Sequence, residues 1–109
     1  MTKYFHIATG LRGAYMPDSA YMIRATTRRE LKAALEAEAY DIRDAGFVGL
    51  SKRAVASLAA EAWREAHKPA PTIYPHVAGY GRLGNPCFGL HVSTATRAEF
   101  LEYQEEEGN

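Results

Sequence analysis

The sequence predicts an α+β domain: a two-layer sandwich with a three-stranded sheet and helices on one face, in the order β-β-α-α-β-α. Three observations carry this expectation. Short runs rich in aromatic and β-branched residues alternate apolar with polar positions, as half-buried strands do. Longer runs repeat apolar residues every three or four positions behind a capping residue, as amphipathic helices do. The 109 residues suffice for one core and not for two, since a chain of this size buries roughly 60 to 65% of its unfolded surface. Residues 1–109 are therefore expected to form a single domain.

Tyr4 to Thr9 reads as the first strand, ending at Gly10, and Tyr21 to Ala25 as the second. The turn-rich "GLRGAYMPDS" between them suggests a hairpin with a long connection. In "TTRRELKAALEAEAYDIRDAG", Thr27 and Glu30 stand at capping-box spacing, Leu31, Leu35 and Ile42 share a face, and Gly46 ends the helix. The next helix runs from about Lys52 to Lys68. Ser51 is its N-cap, Leu50 and Val55 form a hydrophobic staple, and Pro69 stops it. Val55, Leu58, Ala59, Ala62, Trp63 and Ala66 form one broad apolar arc, which assigns Trp63 to the core. "CFGLHVS" reads as the third strand and Arg97 to Glu105 as a short third helix. "IRATTRREL" and "VSTATRAEF" echo each other as strand, cap and helix, so Glu30 and Glu99 are read as capping residues rather than catalytic ones.

Strand alternation sorts the sheet into two faces. Phe5, Ile7, Tyr21, Ile23, Phe88, Leu90 and Val92 are expected to meet the helices, leaving Tyr4, His6, Met22, Arg24 and His91 on the other side. That outer face is rich in aromatic and imidazole groups for a merely solvated surface.

Thirteen Lys and Arg balance thirteen Asp and Glu, so the composition encodes neither an electrostatic grip on nucleic acid nor the negative charge of a DNA mimic. One cysteine, Cys87, allows no internal disulfide and suits a reducing cytoplasm. With no signal-like or membrane-length apolar run, a soluble, unprocessed cytoplasmic protein is expected.

"GYGRLG" (Gly79 to Gly84) satisfies G-x-G-x-x-G literally. A dinucleotide site needs that pattern to open a helix, and here Asn85, Pro86 and a strand follow. His6, His67, His76, His91 and Cys87 show no metal-ligand spacing, so neither metal nor cofactor is expected. Glu38 falls inside the apolar stripe of the first helix and needs a polar partner, but no second acid stands beside it to make a general acid-base pair. No catalytic signature emerges, and the chain is read as a non-enzyme.

The longest stretch without strand or helix periodicity is residues 69–86, containing "PTIYPHVAGYGRLGNP". A loop of that length in a small domain is usually functional or disordered. Its Tyr74, His76, Tyr80 and Arg82 are typical contact side chains, tyrosine and arginine being those that most often dominate binding energy, with Gly79, Gly81 and Gly84 freeing the backbone between them. Together with Tyr4, His6, Met22, Arg24 and His91, they form the expected partner-binding set.

With "GAYMPDSAY" ahead of a capped "TTRRELKAALEAEA" helix, the short, charge-balanced chain resembles, in size and architecture, small accessory proteins of phages and mobile elements of the anti-CRISPR type. The resemblance implies an inhibitor that occludes a surface of a host defence complex in the bacterial cytoplasm, such as a CRISPR effector subunit or its nuclease. The balanced charge departs from the acidic DNA-mimic members. The expected function is thus a protein-binding module of this inhibitory kind. The alternatives are a small nucleic-acid-binding regulator using Arg24, Arg53 and Arg64, and, more remotely, a small enzyme built on Glu38 and a histidine.

Overall fold

The computed structural model describes residues 1–11, 16–43, 51–71, 76–78 and 88–107. In chain order these form β1 (Lys3–Leu11), β2 (Met16–Ala25), α1 (Arg28–Arg43), α2 (Lys52–Ala66), β3 (His76–Ala78), β4 (Phe88–Ala95) and α3 (Arg97–Glu107). The α+β class holds and the expected elements follow one another as the sequence suggests. One strand is added: β3, inside the segment 69–86 that was expected to lack regular structure. The sheet is antiparallel, with spatial order β2-β1-β4-β3.

The hairpin is longer than "GLRGAYMPDS" suggests. β1 and β2 remain paired out to Leu11 opposite Met16, which leaves only residues 12–15 between them. A break in register between Thr9 and Gly10 brings Gly10 opposite Pro17. Proline is tolerated in a strand at an edge or a bulge, where its missing N–H costs no ladder hydrogen bond, and β2 is an edge strand.

All three sequence-encoded caps form. The Glu30 amide donates to Thr27 Oγ1 (3.2 Å), while the hydroxyls of Thr26 and Thr27 both donate to the Glu30 carboxylate. At α3 the box is reciprocal: the Glu99 amide donates to Thr96 Oγ1 (3.1 Å) and the Thr96 amide to Glu99 Oε1 (3.0 Å). Ser51 Oγ accepts from the Ala54 amide (3.1 Å) at the start of α2. Each cap contributes about 1 kcal/mol. The Leu50 staple partner and Gly46 lie outside the described residues.

Phe5, Ile7, Leu90 and Val92 from the sheet pack against Leu31, Leu35 and Ala39 of α1 and Val55, Leu58, Ala59, Ala62 and Ala66 of α2. The alanines matter here, because small side chains let α2 lie close to its neighbours. Trp63 is partly buried and stacks on Phe5, ring centroids 6.1 Å apart. Tyr21 and Ile23 pack against the same cluster, as alternation predicts. The side chain of Phe88 lies outside the described residues.

The third helix departs from the expectation that all helices share one face. Phe100, buried to 5% exposure, meets Tyr4 at 5.2 Å. Tyr4 adjoins Phe5 in an alternating strand, so α3 lies on the face opposite α1 and α2. Phe100 is the sole buried residue of this helix among those described. With one large anchor and no broad apolar stripe, α3 has little to contribute to the main core and instead clamps the aromatic outer face.

Candidate functional site

Register assembles most of the outer-face set. Tyr4 pairs opposite Arg24 and His6 opposite Met22 across β1 and β2, and His91 on β4 pairs opposite Ala8. Their exposure then separates them. Arg24 is exposed, and Tyr4, His6 and Met22 are intermediate. His91 is only 5% exposed, so the position expected to contact a partner is a buried one with little surface to offer.

The helix over this face turns it into a groove. His6, Tyr21 and Met22 from the sheet and Glu99, Glu102, Tyr103 and Glu106 from α3 line an open cleft of about 300 Å³. Phe100 sits between Tyr4 (5.2 Å) and Tyr103 (6.4 Å), so one short aromatic row fixes both the helix and the groove wall. Sequence reading placed His6 and Met22 on this side of the sheet, assigned Tyr21 to the other, and missed the helix side. The available signal was the spacing of Glu99, Glu102 and Glu106, which places three carboxylates on one face of a helix. A second cleft, of about 420 Å³ and lined in part by Lys3, Tyr4, Lys68, Thr94 and Thr96, opens at the end of the sheet, and Glu99 borders both.

Burial holds the His6 imidazole below its ordinary value of 6.5, with the Glu99 carboxylate pulling the other way. The unfolded chain therefore takes up this proton more readily than the folded one, so the His6 contribution to stability is complete above the unfolded value. It is lost as pH falls from about 6.5 toward the lower folded value. Urea unfolding at about pH 7.5 and about pH 5.5 is expected to show a stability decrease that shrinks when His6→Gln removes the titrating group. An equal decrease in the variant would assign the effect to other groups.

His76 is placed differently from the outer-face residues. On β3 it pairs opposite Val92 and turns toward α2, with Nδ1 3.6 Å from Glu61 Oε2 and Nε2 3.7 Å from Glu65 Oε1. Lys68 Nζ also reaches Glu65 Oε1, at 3.3 Å. These groups bring the short edge strand up to the helix; the contacts are ion pairs only with a protonated imidazole, and His76 Nε2 has no hydrogen-bond partner among the described residues. Glu65 is 6% exposed and is a buried carboxylate that the sequence reading passed over. It stands three residues after Ala62 and seven after Leu58, inside the apolar arc, and that spacing was the visible sign. Glu38, which the same logic had singled out, is of intermediate exposure.

Tyr74, Tyr80 and Arg82, with Gly79, Gly81, Gly84 and Cys87, lie outside the described residues. The arginines of the nucleic-acid reading are dispersed: Arg24 is on β2, whereas Arg53 and Arg64 are exposed on α2, which packs against the opposite face. Among the described residues, no group of three or more His, Cys, Asp or Glu is placed to hold a metal ion. No described helix is long and apolar enough to cross a membrane. The chain matches no family model, and no curated protein or solved structure matches it.

Proposed function

We propose that the chain is a non-enzymatic protein-binding module that works by occlusion, an inhibitor of a host defence complex such as a CRISPR effector subunit or its nuclease. The supporting observation is the groove between the outer sheet face and α3. Its Met22, His6 and Tyr103 supply apolar and aromatic contact area while its Glu99, Glu102 and Glu106 supply orientation. Arg24 is exposed on β2 two residues from Met22, available to a partner at the groove margin.

The test is a binding titration against purified effector subunits, after affinity capture from a bacterial lysate has nominated them. Met22→Ala and Tyr103→Ala are expected to weaken binding at least about tenfold each, about 1.4 kcal/mol, with unchanged far-ultraviolet circular dichroism. Tyr80→Ala and Arg82→Ala form a separate arm for the 69–86 segment, with the same expected loss. Undiminished binding by all the groove variants would move the interface elsewhere. Binding to nucleic acid that weakens steeply with salt would favour the regulator reading.

A further inference from the structure

We propose that the groove receives a cationic peptide segment of the partner, an extended stretch bearing lysine or arginine at alternate positions around an apolar side chain. This rests on the reading of the chain as a protein-binding module and names the chemistry that the module recognises.

The charge on α3 is the first reason. The helix carries one arginine against five glutamates and has no basic residue in its last turn. Negative charge at a helix C-terminus opposes the helix dipole, and like charges three or four residues apart repel. Glu99 has its carboxylate engaged by the Thr96 amide. Glu102 and Glu106 have neither an ion pair nor a hydrogen bond among the described residues. Neither carboxylate is paired within the described residues, and a cation in the groove would pair with them.

Shape is the second reason. The carboxylates line a cleft whose other lining residues are Tyr21, Met22, Tyr103 and the imidazole of His6, in a volume of about 300 Å³ that suits one or two side chains. Glu99 to Glu106 spans about 10 Å along the helix, room for two cations on alternate residues of an extended chain, about 7 Å apart. Burial disfavours the charged form of His6, which limits how far the groove's own imidazole can offset the carboxylates. An anionic segment would meet three carboxylates, and a purely apolar one would leave Glu102 and Glu106 unpaired.

The experiment titrates a short synthetic peptide of alternating lysine and leucine into the labelled protein, followed by amide chemical shifts, beside a matched peptide with glutamate in place of lysine. Expected is saturable binding of the lysine peptide alone, weakened by salt, with shifts concentrated at His6, Met22 and residues 99–106. Glu102→Gln with Glu106→Gln should reduce affinity at least about tenfold. Glu105→Gln with Glu107→Gln, the same charge change on the same helix outside the groove lining, should leave it within about twofold. Equal losses in the two double variants, or shifts spread over other acidic positions such as Glu36 and Glu61, would reduce the effect to diffuse charge attraction and overturn the proposal. Should the captured partner depend on Tyr103 but ignore Glu102→Gln with Glu106→Gln, the cationic segment fails and the binding module stands. Indifference to all of these groove substitutions would overturn both.

Discussion

Phe100→Ala is expected to release α3 from the sheet while the rest of the domain stays folded. Phe100 is the one buried residue described in this helix, and its ring holds both Tyr4 and Tyr103. Truncating a buried phenylalanine costs about 3 to 5 kcal/mol. That loss falls on an element with little else to hold it. An isolated helix of 11 residues is marginal in water, and this one also carries glutamates against its dipole. The main cluster of Phe5, Ile7, Leu35, Leu58 and Val92 lies on the other face and keeps its contacts. Amide exchange should therefore show α3 losing protection while β1, β4 and α2 keep theirs, with a reduction in helical circular dichroism matching one short helix. Partner binding through the groove should vanish with it. Cooperative unfolding of the whole chain would instead make α3 an integral part of the core.

Phe5→Ala should act on the whole domain. Phe5 is fully buried, stacks on Trp63 at 6.1 Å, and belongs to the cluster shared by the sheet, α1 and α2. The expected loss is about 3 to 5 kcal/mol, a large share of the 5 to 15 kcal/mol that stabilises a typical domain. In urea the unfolding midpoint should fall by about 2 M if the chain remains folded at all. Tyr4→Ala, one residue away, is the control. Tyr4 faces α3 and is only partly buried, so its loss should disturb the groove and shift the midpoint far less. Equal shifts for the two substitutions would contradict the assignment of these neighbours to opposite faces.

Several features of the fold were legible because the interactions behind them are short in sequence. The Thr96–Glu99 box and the Ser51 cap close over three residues, so their spacing could be read directly. The two-residue period of a strand sorted Phe5, Ile7, Leu90 and Val92 from Tyr4 and His6 without knowledge of the partner strands. The candidate site was only half legible. His6 and Met22 followed from alternation, which put Tyr21 on the other face, and nothing local announced that Glu102, Tyr103 and Glu106 would stand over them.

By itself, then, the sequence determined the α+β class, the caps, the apolar arc of α2 and the inward-facing residues of β1 and β4, all set by backbone geometry and patterning within a few residues. The tertiary structure alone decided the rest. β3 is three residues long and becomes a strand by pairing with β4, residue 76 against 92, a contact that no periodicity encodes. Glu65 is buried where His76 and Lys68 converge on it, and His91 is buried on a face that alternation alone would leave open. The side of the sheet taken by α3 rests on one contact between Tyr4 and Phe100, nearly the whole chain apart. Such contacts depend on where distant segments meet, which local propensity does not specify; that meeting is what makes a groove of the outer face.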